Sequence, residues 1–264
     1  MRRLLPLATI AVIAALYLAV VGLGLWLKGR AIPWTTDAPS KSAWHVAHLP
    51  DLEAVAYGRR LFTETPVYAS RYTKSRIACS SCHLGAGTAP YSAPVVGSMQ
   101  AYPQFSKRAN RRISLDDRIE ECMTRSENGN PLPAGSTEMA ALKAYINWLS
   151  QPHAAELKYV GRGLEPLPEL TPDPAHGAQV YAVQCAGCHG SNGEGTRRPF
   201  PPLWGPESFN DGAGMDTLPK LTAFIHANMP QNRKGILSPQ DATDVAAFIR
   251  AQPRPTFNHA YDKF

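Results

Sequence analysis

Two copies of one five-residue pattern, "CSSCH" at residues 79–83 and "CAGCH" at 185–189, restrict this chain more than any other feature. A Cys-x-x-Cys-His run is the attachment signature of a c-type haem: both thiols become thioethers to the porphyrin, and the adjacent histidine is the proximal iron ligand. Cys79, Cys82, Cys185 and Cys188 therefore predict two covalently attached haems c, with His83 and His189 as metal ligands. A zinc ribbon also uses two cysteine pairs. Pairs about a hundred residues apart, each followed directly by histidine, fit such a site poorly.

Four of the five cysteines are then used, and Cys122 has no partner for an intramolecular disulfide. It lies in "DRIEECMTRSENGNPLP", residues 117–133. Ser114 as N-cap, Asp116 and Asp117 in the first turn, and Gly129 as terminator predict a short helix here. At α-helical spacing Arg118, Cys122, Arg125 and Ser126 fall on one stripe. Arginines one turn away on either side bias a thiol towards thiolate, the form that ligates iron and attacks sulfur. Just upstream, "KRANRR" supplies Lys107, Arg108, Arg111 and Arg112 with no acid among them. Cations around an accessible thiolate make a pocket for a small, doubly charged anion. Met123 and Met99 are the other side chains suited to reach the first iron.

The apolar run from Leu4 to Leu27 is uncharged and long enough to cross a hydrocarbon core of about 30 Å. It ends in "LWLKGR" rather than a small-x-small exit, so residues 1–30 are expected to be an uncleaved transmembrane anchor and residues 31–44 a tether. Covalent haem attachment places the rest on the periplasmic side of the bacterial inner membrane. The formal charge of +6 does not imply nucleic acid as a partner: Arg2, Arg3, Lys28 and Arg30 flank the anchor and account for four of the six charges.

Past the tether the chain repeats itself. "AVAYGRRLF" precedes the first haem motif and "PAHGAQVYAVQ" the second, each with a glycine followed closely by an aromatic. Each motif is followed by an amphipathic segment, "TEMAALKAYINWLS" and "SPQDATDVAAFIRAQ". A Pro-rich connector, residues 161–174, separates a first unit, 45–160, from a second, 175–264. The first unit carries an insertion, "TETPVYASRYTKS", ahead of its haem.

The fold class is mainly α, and the repeat resembles a tandem of class I cytochrome c domains, whose terminal helices cross at the glycine and aromatic positions. That resemblance implies a sixth ligand for the second haem from the loop before the final helix, Met229, with His226 in reserve. A thioether ligand raises the potential.

"DRIEECMTRSENGNPLP" followed by "STEMAALKAYINWLS" resembles the corresponding region of dihaem thiosulfate dehydrogenases and, more distantly, the catalytic cytochrome subunit of the Sox sulfur-oxidation system. The resemblance runs from about Tyr57 to Pro253. It implies that Cys122 is the distal ligand of the active-site haem and that Arg118 holds substrate. Where some relatives have a lysine before the second-haem methionine, this chain has Asn228.

The expected function is coupling of two thiosulfates to tetrathionate. Arg118 and Arg125 would neutralise sulfonate oxygens at Cys122, and electrons would pass from the first haem to the second and on to an external redox partner, a cytochrome or membrane oxidase complex. The same residues would also serve a plain anchored electron carrier, or a Sox-type enzyme conjugating thiosulfate to a carrier-protein cysteine. Lys107, Arg108, Arg111, Arg112, Ser126 and Asn128 are further candidates for substrate contact.

Overall fold

The structure, a computed structural model, describes residues 51–151, 161–196 and 199–263. The expected anchor and tether lie outside the described residues; among those described, no helix is long and apolar enough to cross a membrane.

Six α-helices of seven residues or more organise the described chain: α1, Leu52–Thr63; α2, Leu115–Glu121; α3, Thr137–Ser150; α4, Pro174–Gln184; α5, Leu218–Asn228; and α6, Pro239–Arg250. Each start follows from a capping side chain or an N-terminal proline. Asp51 Oδ1 accepts from the Glu53 and Ala54 amides, and Asp173 Oδ1 from those of Ala175 and His176. Ser114 with Asp117, and Ser238 with Asp241, form reciprocal capping boxes. Ser136 Oγ accepts from the Met139 amide. α5 has no side-chain cap and instead carries a proline in its first turn.

The helices pair by one rule used twice. At Gly58 a Cβ would stand 1.9 Å from the Ala141 carbonyl oxygen, so only glycine lets α1 cross α3 this closely. At Gly177 the same atom would stand 2.0 Å from the Asp244 oxygen, which fixes the crossing of α4 and α6. One turn further along, the crossings are sealed by aromatic pairs, Phe62 with Tyr145 at 5.5 Å and Tyr181 with Phe248 at 5.4 Å between ring centroids.

Each crossing has its own core. The first gathers Leu61, Phe62, Met123, Leu142, Tyr145 and Ile146; the second gathers Tyr181, Trp204, Leu221, Val245, Ala246 and Ile249. Burying side chains of this size contributes about 1.5–3 kcal/mol each. A smaller cluster of Ile77, Phe209 and Ala213 joins the halves, with Met215 packed against both it and the second core.

The insertion in the first half forms one helical turn, Thr65–Tyr68, and then lies against the chain beyond Cys122. Thr73 Oγ1 donates to the Glu127 carbonyl at 3.0 Å, and the Asn130 amide donates to that of Tyr72 at 2.7 Å. Gly129 is not the residue that ends the helix, whose last turn closes at Ser126. Asn128 takes the left-handed conformation, with φ of 45°. Gly129 is needed because a Cβ would meet the Tyr72 carbonyl at 2.0 Å.

The basic "KRANRR" segment is a hairpin of β1, Gln104–Ser106, and β2, Arg111–Ile113, paired antiparallel with Phe105 opposite Arg112. The start of the connector is pinned as well: the Tyr91 and Ala93 amides donate to the Gly161 and Gly163 carbonyls at 2.7 and 2.8 Å.

Candidate active site

Cys79–Cys82 forms a single helical turn, and His83 follows it directly. The Nδ1 of His83 lies 2.5 Å from the Ala93 carbonyl oxygen. A ring nitrogen facing a carbonyl must carry the hydrogen, which leaves Nε2 free as a ligand. Burial pulls the His83 pKa down, so the ring is held neutral.

These three residues line a cavity of about 980 Å³, open solvent at its mouth included. Phe62, Ile77, Val95, Leu115, Leu142 and Ile146 give it apolar walls, while Arg118, Cys122, Met123, Ser126 and Glu127 line it from α2 and the turn that follows. Two thiols for attachment, an imidazole with Nε2 free and an apolar slot suit a haem c, and Cys122 offers a further soft ligand at the same cavity.

The Cys122 amide still donates to the Arg118 and Ile119 carbonyls, but residues Cys122–Ser126 are wound as a π-helix. The wider turn carries Arg125 off the stripe expected from α-helical spacing. Arg118 and Ser126 remain on the cavity. Arg125 does not: it is 6% exposed, its guanidinium sits 3.8 Å over the Phe257 ring, and its Nη2 is 3.3 Å from Asp262 Oδ1. The expected placement of Arg125 on the Cys122 stripe is corrected accordingly.

The expected thiolate bias of Cys122 is opposed by its surroundings. Burial raises its pKa and outweighs Arg118, with Glu121 and Glu127 adding to the rise. Metal ligation itself deprotonates a coordinating thiol, so the bias is not needed once iron is bound. Arg118 carries a raised pKa, chiefly from the Cys122 charge. Its Nη1 donates to Glu121 Oε2 at 2.7 Å, and its side chain stays 42% exposed, within reach of a dissolved anion. Glu121 Oε1 is buried without a hydrogen-bond partner.

Of the hairpin cations, Arg108 is the one brought towards Cys122. Its pKa is lowered by burial and then by Arg125 and Arg118, with Glu121 and Cys122 acting against this. Arg111 is occupied by Asp117 and the Lys263 carbonyl, and Arg112 by the Pro103 carbonyl. Lys220, at the start of α5, joins the cluster from the second half. Burial and the charges of Arg108 and Arg118 lower its pKa. Sequence reading missed it, since nothing local marks a lysine about a hundred residues along the chain as a neighbour of Arg118. It also missed Glu127, 1% exposed on the cavity wall, whose pKa burial pushes up to about 8.

The second haem motif is built in parallel. His189 follows Cys188 on the one-turn helix Ala186–His189, and its Nδ1 lies 2.9 Å from the Pro201 carbonyl oxygen, again freeing Nε2. Cys185 and Met229 pack on the rim of the second core, as does Met215. His226 faces Glu165 Oε2 at 3.2 Å. Asn228 is 1% exposed and donates to the Tyr91 and Phe224 carbonyls. Of the reserve candidates at the first site, Met123 reaches the cavity lining and is 1% exposed in the core, and Met99 packs on the outside of that core.

Two helix crossings, each with a Cys-x-x-Cys-His turn whose histidine is oriented by a backbone carbonyl, define a dihaem c-type cytochrome. The family model for the SoxA/TsdA cytochrome c domain matches residues 65–154, and that for the cbb3-type cytochrome c oxidase subunit III matches residues 172–249. Proteins named thiosulfate dehydrogenase are similar along most of the chain. That of Thiomonas intermedia is 37% identical over 90% of this chain and 84% of its own, and that of Allochromatium vinosum 38% identical over 88% and 92%. The solved thiosulfate dehydrogenase (TsdBA) of Marichromatium purpuratum superposes with a TM-score of 0.73 at 35% identity, covering 77% of this chain and 46% of that one. The chain belongs to the thiosulfate dehydrogenase family.

Proposed function

We propose that this protein oxidises thiosulfate to tetrathionate at the cavity that holds His83 and Cys122. The observation that carries this reading is Arg118 beside Cys122 on the wall of the cavity that holds the first haem motif, with Arg108 and Lys220 close enough for the Arg118 charge to lower their pKa and Glu121 as the nearby counter-charge. Three crowded cations favour a small anion of double charge, and a soft sulfur ligand favours sulfur chemistry. The relatives' shared name points the same way. It also separates this reading from a plain electron carrier and from a Sox-type conjugating enzyme.

When bound, the two haems supply one-electron redox chemistry, accepting the two electrons released as 2 S₂O₃²⁻ becomes S₄O₆²⁻ and relaying them to an external acceptor. The protein's own part begins with Arg118, whose guanidinium takes sulfonate oxygens while Arg108 and Lys220 lower the potential energy of the dianion. The outer sulfur then faces Cys122 Sγ. Loss of two electrons from the pair of sulfurs joins them as Cys–S–S–SO₃⁻. Attack by the outer sulfur of a second thiosulfate on the outer sulfur of that adduct forms the central S–S bond of tetrathionate and releases the Cys122 thiolate. Phe62, Leu142 and Ile146 give the cavity an apolar wall.

Residues 45–160 would be the catalytic unit, 161–174 the linker and 175–264 the electron-transfer unit with His189 and Met229 as ligands. The apolar contacts running from Ile77 through Phe209 to Met215 support transfer between them. An uncleaved anchor of residues 1–30, holding the protein to the periplasmic side of the inner membrane near a cytochrome or oxidase acceptor, completes the reading; its support is the uncharged run from Leu4 to Leu27.

The test is an anaerobic assay of the haem-loaded protein with thiosulfate and an artificial one-electron acceptor. One tetrathionate per two electrons is the expected yield. No tetrathionate from protein whose haems are intact and reducible by dithionite would refute the reading.

A further inference from the structure

A π-helix leaves backbone groups over, because its wider turn breaks the regular ladder. At Cys122–Ser126 the Cys122 carbonyl accepts from the Glu127 amide at 3.0 Å and the Met123 carbonyl from that of Gly129 at 2.9 Å. The Thr124 carbonyl instead accepts a side chain from the other half of the molecule: Asn210 Nδ2 donates to it at 2.9 Å. The second Nδ2 hydrogen goes to Asn128 Oδ1 at 3.1 Å, and the Asn210 amide goes to the Arg125 carbonyl at 3.2 Å. Asn210 Oδ1 is itself held by the Gly212 amide at 3.1 Å, which fixes the amide plane. Asn210 is 1% exposed.

One buried asparagine thus satisfies the turn two residues past Cys122 and fastens its exit at Asn128. Its neighbours press on the same turn, since Phe257 carries the Arg125 guanidinium and a Cβ on Gly212 would meet the Phe257 ring at 2.7 Å. An unsatisfied buried carbonyl is costly enough that this turn would rewind without its partner. Cys122 opens that turn, so rewinding would change the backbone that leaves it and shift the thiol relative to His83.

We propose that Asn210 is a positioning residue for Cys122: the second cytochrome unit sets the π turn of the first and so holds the thiol at the first haem iron. The proposal rests on the reading of Cys122 as a ligand. It makes the electron-transfer half necessary for the geometry of the active half, beyond its role as an electron relay.

The experiment compares the haem-loaded protein with Asn210→Asp, which keeps the size and the bond to the Gly212 amide but removes both Nδ2 donors, and with Asn210→Ser. Low-temperature electron paramagnetic resonance of the ferric forms reads each haem separately. The expected result is a thiolate-ligated signal of the first haem that splits or loses most of its intensity. The second haem's signal and two haems per chain should be retained, with kcat lower by about 10–100-fold and KM little changed. A wild-type signal at the first haem in either folded variant overturns the proposal, as does equal disturbance of both haems, which would mark a general loss of packing. A parent protein with no thiolate-ligated haem at all would overturn the ligand reading itself, whatever the variants show.

Discussion

Arg118 and Cys122 are joined through the backbone, the Cys122 amide donating to the Arg118 carbonyl, and both side chains line the cavity that holds the first haem motif. A guanidinium and a thiol one turn apart on the wall of this cavity can hold the two ends of a thiosulfate separately, sulfonate on one and sulfur on the other. Arg118→Ala is expected to lower kcat/KM by about 10²-fold, the scale for losing one preorganised donor to a reacting anion. Arg118→Lys should recover only part of this, because a point charge replaces a fork. Steady-state tetrathionate formation, normalised to haem content, checks both.

Gly58→Ala and Gly177→Ala each force a methyl into a helix crossing where a carbonyl oxygen stands 1.9 or 2.0 Å from the new atom. Overpacking of this kind costs about 1–3 kcal/mol, and more where backbone must move. Each variant is expected to melt at lower temperature. Gly58→Ala should disturb the absorption spectrum of the first haem and Gly177→Ala that of the second.

The cap at Ser114 and the haem turns were legible in the sequence because each is a local signal, a serine three residues before an acid or two cysteines and a histidine, and the two crossings followed from the repeated glycine and aromatic through the resemblance to class I cytochromes c. What was not legible depends on long-range packing. Arg125 reads as a partner of Cys122 only while the helix is assumed to keep 3.6 residues per turn; the π turn breaks that assumption. Lys220 and Asn210 reach the first site from the second half, and no spacing rule connects them to it. The hairpin that delivers Arg108 is two short strands with a mostly exposed surface, too brief to leave a period-2 pattern.

Glu127 makes the fold pH-dependent. Burial raises its pKa from 4.5 to about 8, with the Ser75 and Cys79 hydrogen bonds opposing the rise. In the haem-loaded protein Cys79 is a thioether and has no hydrogen to donate, which pushes the carboxyl further the same way. A raised native pKa contributes stability that is fully present below about pH 4.5 and is lost as pH rises through about 8. Glu120, pushed up to about 7 by burial, adds to the same slope. Thermal melting of the haem-loaded protein should therefore fall between about pH 5 and 8, and Glu127→Gln should flatten that fall.

Arg76 ties the halves together at the edge of the first site. Its Nε meets Glu207 Oε2 at 2.6 Å, while Nη1 and Nη2 donate to the Thr196 and Glu194 carbonyls at 2.9 and 2.6 Å. The carboxylate is half exposed and worth little, so the two carbonyl bonds carry most of the effect. Arg76→Ala is expected to cost about 1–3 kcal/mol and to separate one calorimetric unfolding transition into two. Both haems should stay attached.

The most direct test is Cys122→Ala. Its four thioether cysteines are untouched, so two haems per chain should be present and reducible by dithionite. Tetrathionate formation from thiosulfate and an artificial acceptor should collapse, and the first haem should lose its thiolate-ligated spectrum. Tetrathionate produced by this variant at the rate of the parent protein would contradict the account, because the reaction would then proceed without the one sulfur on which it is built.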